Sequence, residues 1–573
     1  MPKVDGVGNV AGSELVRKTT VLPGNSIDKA GKKDNSLPDD ITQEILDSSN
    51  DTSVSTTPNI IPETIKLDPQ VDRKLVEFKE MAETLVGLEQ IAGLAEWDLE
   101  TYMPSTASDT RAMQVKVVNT LSHKLLTSKK MENLLAYLSA EDIIIQLSDI
   151  DKMMVKKYKE DFEEAKKIPP RFVQEFSEIT TKGYSVWEEA KETKDFSKFV
   201  PCLEKIVVLM RQQTEYKGYK GSPYNALLDD YEEGMTTEEL DKVFATLKKE
   251  LVPVIHAIAD SGVEIKNDFL RKGFSHAKQM ELSKELLEHI GFDLTTGRVD
   301  ETVHPFCSGL GFNDTRIGTN IPKRDLWSTI SSIVHEGGHG LYAQGIAPEI
   351  ANTRLGDSPS MGIDESQSRL YETQVGMGLP FWIHYLPKLK EKFPKQLEGV
   401  EVEDFWKAIN IVKPNLIRIN SDEVTYQMHV IIRYEIERDL IEGKLEVKDI
   451  PKAWNQKMHE YLGIKPKNDA EGAFQDVHWS CGMFGYFPTY TLGNLYAAQI
   501  FNTARQEIPD LDITIAEGKV KVLTNWLREK IHKHGDMKTT KEILREVTGE
   551  DLNPQYFIDY VRTKYSKIYP GIK

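Results

Sequence analysis

The chain has 573 residues, 13 histidines, three cysteines and a formal net charge of -18. That acidity excludes a nucleic-acid partner, because binding a phosphate polymer requires a basic surface. Cys202, Cys307 and Cys481 are too dispersed for a disulfide framework or thiolate metal cluster, and no run of about eighteen apolar residues occurs. The composition predicts a soluble cytoplasmic protein, without a membrane association, that buries a large core.

Residues 1–64 are rich in Gly, Ser, Asn, Asp, Thr and Pro, and are expected to form a disordered polar extension. Their first third is mildly basic but poor in arginine, which disfavours an organellar transit peptide. Residues 65–573 read as one large, mainly α domain with a small β-sheet. Its first helix, VDRKLVEFKEMAETLVGLEQIAGLAEWDLETYMP, sets Leu75, Phe78, Leu85, Leu88, Ile91 and Leu94 at helical spacing and stops by Pro104. Amphipathic patterns continue to about residue 290, with a fresh start at Thr236 or Thr237. Residues 292–322 are instead rich in glycine, threonine and aspartate, which predicts short strands and loops. Strands there would offer an edge with which an extended peptide could pair.

The next stretch, DLWSTISSIVHEGGHGLYAQG, predicts a buried helix that stops at Gly345. Within it, HEGGH places His335 and His339 one turn apart on one face, where their ring nitrogens can converge on one ion. Glu336 stands where a general base for an activated water belongs. Gly337 and Gly338 cost the helix about 1 kcal/mol each relative to alanine. A zinc site contributing on the order of 10 kcal/mol exceeds that cost.

Two histidines leave a hydrolytic zinc centre one protein ligand short. A third histidine six residues after His339 is excluded, because that position is Gly345. The carboxylates downstream are Glu349, Asp357, Asp364, Glu365 and Glu372. Asp364 and Glu365 open a predicted helix, a firmer mount than the loop that carries Glu349 and Asp357. Neighbouring helical residues point about 100° apart, so only one of the pair should bind the ion. Spacing leaves the choice between them open.

HEGGH followed at this interval by ESQSR resembles the carboxypeptidase Taq family of zinc metallocarboxypeptidases. Further stretches resemble that family's motifs in the same order: WDLETYMP (97–104), SPYNALLDDYEEGMT (222–236), HPF (304–306), DTRIGT (314–319), IRINSD (417–422), GAFQDVHW (472–479), GYFPTY (485–490) and LNPQYF (552–557). The resemblance covers about residues 68–570. It implies a large helical metallopeptidase domain with a deep groove, the small sheet lying beside the HExxH helix. It further implies Glu365 as third ligand to one Zn2+ per chain, with Co2+ as an alternative metal, and a homodimer acting on peptides with a free C-terminus.

His478 and Tyr486 stand in motifs that the resemblance places near the active site, as donors to the developing oxyanion. Arg316 and Arg418 occupy the two arginine motifs and would anchor the substrate carboxylate and limit peptide length. Each could instead serve a local ion pair, Arg316 with Asp314 or Arg418 with Asp422. His304 and Gln475 are weaker candidates for groove contacts. The chain departs from the family pattern at Asp364, where histidine is expected, at Gly318, where threonine is, and at Ser421, where alanine is. Two other functions compete: an oligopeptidase cleaving internally, and a catalytically silent zinc scaffold. Intact Glu336 argues against the scaffold, since a structural site has no use for a base.

Overall fold

A computed structural model describes residues 67–572; the polar extension expected at 1–64 lies outside the described residues. Helix α1 (Pro69–Glu100) starts behind Asp68, whose carboxylate accepts the Gln70 N–H at 2.7 Å, with proline at its first position. Leu75, Phe78 and Leu85 face the core as expected. The stripe then fails: Ile91 and Leu94 are 55% and 45% exposed, and Ala92 and Trp97 are buried in their place. The cause is a change of partner. Past the main core, α1 rests on the sheet, where the Trp97 ring lies 5.2 Å from that of Phe306.

Helices continue to Ile290. The start expected at Thr236 is a full capping box: its hydroxyl accepts the Glu239 N–H, and the Glu239 carboxylate accepts the Thr236 N–H. The region expected to hold strands forms β1 (Gly297–Glu301), β2 (Phe306–Gly309) and β3 (Thr315–Thr319). Their order is β1-β3-β2, with β1 parallel and β2 antiparallel to β3. The sheet packs on α2 (Leu326–Gly345), the HEGGH helix, which Asp325 caps by accepting the Ser328 N–H.

Across α2 lies α3 (Met361–Arg369), which runs on into a π-helical segment, Leu370–Gly376. The hydrophobic pattern predicts one helix through this stretch and carries no signal for the wider turn. Further on come α4 (Tyr426–Ile441), α5 (Pro488–Glu507) and α6 (Gln555–Tyr565); α5 packs on α3, and α4 and α6 pack in turn on α5. No helix of the described residues is long and apolar enough to cross a membrane.

The two glycines of HEGGH have different surroundings. A Cβ on Gly338 would stand 2.5 Å from the Ser368 Cα and 2.6 Å from the Gln367 carbonyl oxygen, both backbone atoms of α3. A Cβ on Gly337 would meet only the side-chain ends of Leu287 and Ile290, at 2.7 Å. Gly338→Ala is therefore expected to lose about 1–3 kcal/mol by overpacking, despite a helix-propensity gain of about 1 kcal/mol. Gly337→Ala should lose less, because rotamers can yield where backbone cannot. Urea unfolding of the two variants checks this, and equal losses would refute it.

Candidate metal centre

The helical turn sets the His335 and His339 rings 5.1 Å apart on the face of α2 that meets α3. From α3, Glu365 brings one oxygen to 3.7 Å from His335 Nε2 and 3.6 Å from His339 Nε2. Donors about 2.0–2.2 Å from a tetrahedral zinc stand roughly 3.3–3.6 Å apart, so the three atoms have the spacing of a ligand triad. Gly493 of α5 makes room behind Glu365, since a Cβ there would stand 2.5 Å from the Glu365 Cγ. Among the described residues, His335, His339 and Glu365 form the only such cluster of three potential ligands.

Behind each imidazole stands a carboxylate that sequence reasoning had weighed as a ligand. Glu372 lies 2.8 Å from His335 Nδ1, and Asp364 lies 2.9 Å from His339 Nδ1. Both contacts lie on the Nδ1 side and leave Nε2 directed at Glu365. Glu372 makes a hydrogen bond there, by which an outer group fixes a metal-binding tautomer, whereas His339 Nδ1 is outside hydrogen-bond alignment and feels Asp364 through charge. Arg369, a residue that reading did not single out, donates to Glu372 at 2.6 Å and to Asn494 of α5 at 2.8 Å. Its helical spacing, four after Glu365 and three before Glu372, was the available signal.

The charges act on one another strongly. Burial opposes ionisation of Glu372, but Arg369 and His335 outweigh it and bring the carboxyl down to about 2. Burial works against a charged His339 as well, yet Asp364, Glu365 and Glu336 raise its pKa well above the usual value. Glu336, 7% exposed, is raised by burial, partly offset by His335 and His339. A further brace reaches the π-helical segment from α6. The Tyr560 hydroxyl of α6 donates to the Thr373 carbonyl at 2.9 Å, while Lys564 and Tyr565 donate to the buried Glu423 at 2.6 and 2.7 Å.

His478, Tyr486 and Arg418 form a second group. The His478 ring lies 5.5 Å from that of Tyr486 and 4.3 Å from that of Phe487. His478 is 0% exposed, and burial, assisted by Arg418 and Arg433, depresses it to about 3, so it is neutral. Arg418 pairs with Asp476 at 2.9 Å, not with Asp422, and its Nη1 donates to the Tyr426 hydroxyl. Gln475 ties two loops, accepting the Arg418 N–H at 2.8 Å and donating to the Leu416 carbonyl at 2.9 Å. On β3, Arg316 makes the local pair with Asp314 that stood as the alternative to carboxylate anchoring, through Nε and Nη2 at 2.8 Å each. His304 lies on the link between β1 and β2, its carbonyl accepting the Thr302 hydroxyl.

Two imidazoles and a carboxylate that could hold a metal ion, beside a buried glutamate, are the parts that a metallopeptidase needs. Residues 77–565 match the family model described as Carboxypeptidase Taq (M32) metallopeptidase. Carboxypeptidase 1 of Bacillus subtilis is 40% identical over 493 residues, which span 86% of this chain and 98% of that protein. Thermostable carboxypeptidase 1 of Thermus thermophilus is 36% identical over 506 residues, 87% of this chain and 98% of that one. The crystal structure of the M32 carboxypeptidase from Deinococcus radiodurans aligns with a TM-score of 0.84 at 37% identity, covering 87% of this chain and 100% of that one. The chain belongs to the carboxypeptidase Taq family and is a metallocarboxypeptidase, a peptide-bond hydrolase that uses a metal.

Two outcomes are expected. Asp364→Asn should raise the metal dissociation constant about 10- to 100-fold, as read by competition with a chelator; an unchanged constant would show that Asp364 does not orient His339. Metal uptake at pH 7 should also release protons, because a ligand must be neutral to bind and the carboxylates around the metal-free His339 favour its protonated form. Affinity should therefore rise with pH through neutrality. Calorimetry in two buffers of different ionisation enthalpy reads the release, and equal heats would refute it.

Proposed function

We propose that the chain is a zinc-dependent carboxypeptidase of broad specificity, releasing residues from peptides with a free C-terminus. His335, His339 and Glu365 hold the ion and Glu336 is the general base. The observation that carries this reading is the approach of Glu365 to both imidazoles, at 3.6–3.7 Å, on the helix turn that bears Glu336. Two nitrogens and one oxygen suit Zn2+, and Co2+ accepts the same donors. When bound, zinc supplies Lewis acidity that lowers the pKa of water from about 15.7 to about 7.

The chain's own residues do the rest. Glu336 takes the proton of the attacking water and passes it to the leaving amine, a task suited to a carboxyl raised by burial. His478, being neutral, donates a ring N–H to the oxyanion, and Tyr486 donates its hydroxyl. Arg316 and Arg418 anchor the terminal carboxylate. Arg316 has Nη1 outside its pair with Asp314, whereas Arg418, engaged by Asp476 and Tyr426, contributes mainly positive potential. His304 and Gln475 border the substrate groove, and the sheet edge pairs with the peptide backbone. The working form is a homodimer in the cytoplasm, a compartment consistent with three unpaired cysteines.

Glu336→Gln should retain metal and lose about 100- to 10,000-fold in kcat. Peptides amidated at the C-terminus should resist the wild-type protein, with products read by mass spectrometry. Internal cleavage of amidated peptides would favour an oligopeptidase instead, and wild-type turnover by the Gln variant would remove Glu336 as the base.

A further inference from the structure

Residues 476–486 carry both His478 and Tyr486, and one helix anchors this loop at three points. Arg433 of α4 donates through Nε to Asp476 at 2.7 Å. Glu437, one turn along α4, accepts the Trp479 indole N–H on one oxygen at 2.7 Å. Its other oxygen accepts the Gly485 backbone N–H at 3.0 Å and the Tyr224 hydroxyl at 2.6 Å. The anchors thus fall two residues before His478, one after it, and one before Tyr486.

No hydrogen bond fixes the direction of the His478 ring. Both its nitrogens are buried without a hydrogen-bond partner among the described residues, so its placement depends on ring packing against Tyr486 and Phe487 and on the backbone that carries it. Gly485 fits where no side chain would, because its φ is +93° and a Cβ there would stand 2.4 Å from the Leu227 carbonyl oxygen.

Glu437 is wholly buried, and the nearest cation, Arg433, is already paired with Asp476. A buried carboxylate is expensive unless its hydrogen bonds need it. Here they do: the three donors approach both oxygens, and glutamine would turn an NH2 group toward one or two of them. Burial pushes the carboxyl up to about 7, opposed by Tyr224, Gly485, Trp479 and Arg433, the groups that face it.

We infer that Glu437 is a positioning residue for peptide hydrolysis, fixing His478 and Tyr486 through Trp479 and Gly485. This rests on the roles proposed above for those two residues. In the full-length, zinc-loaded protein, Glu437→Gln should lower kcat about 10- to 100-fold, the scale of a small misplacement of catalytic groups. KM and zinc content should be unchanged, and amide exchange should rise across residues 476–486. Tyr224→Phe removes one donor and keeps the carboxylate, so its loss of kcat should be smaller.

Wild-type kcat in Glu437→Gln, with His478→Ala and Tyr486→Phe impaired, overturns the inference and leaves the catalytic roles standing. Wild-type kcat in His478→Ala and Tyr486→Phe overturns those roles instead, and the inference with them. Should Glu437→Gln fail to fold or to retain zinc, Trp479→Phe decides: a fall in kcat at constant KM supports the inference, and an unchanged kcat overturns it.

Discussion

The centre depends on how closely α3 lies on α2. The two backbones are close enough that a Cβ on Gly338 would overlap α3 backbone atoms, and across that contact Glu365 reaches both histidine nitrogens. Gly338 permits that approach, and Gly493 permits α5 to press on the other side of Glu365. Neither glycine contributes a reacting atom. Together they set the distance from which the ligand geometry follows, so the site's chemistry is limited first by steric fit and only then by charge.

Charge is ordered outward from that contact. Each imidazole meets Glu365 on one nitrogen and an outer carboxylate near the other, and Glu372 is in turn bound by Arg369 and, through it, to α5. Such alternation sets the buried Glu365 and Glu372 against donors, which is the condition under which buried charge is tolerable. Asp364 takes part in this order. Where relatives are expected to carry histidine, this chain sets a further negative charge beside His339.

How much of this could be read in the sequence follows from how local each signal is. HEGGH needs only helical spacing to be understood, and the Thr236 cap needs only Glu239 three residues on. Asp364 and Glu365 could not be separated by spacing because they are adjacent; the structure turns one toward the Nε2 nitrogens and the other toward His339 Nδ1. The stripe on α1 misled past Leu85 because periodicity records which face is apolar, not where the neighbouring core ends. Arg418 offers the same lesson at longer range. Asp422 lay within one turn and was the local choice, yet the partner is Asp476, 58 residues away, and nothing near Arg418 in the chain announces it. The π-helical turn after Arg369 left no trace in the pattern, since widening a turn by one residue does not alter which residues are apolar.

The brace behind the metal-facing helices has a bearing on biosynthesis. Tyr560, Lys564 and Tyr565 lie on α6, long after α2 and α3 in chain order, and they secure the segment that carries Glu372 and the buried Glu423. Domains assemble from the N-terminus as the ribosome extends them, so HEGGH, the sheet and α3 are all made well before their support. Until α6 has been made, a nascent chain carries the metal-facing helices without that support.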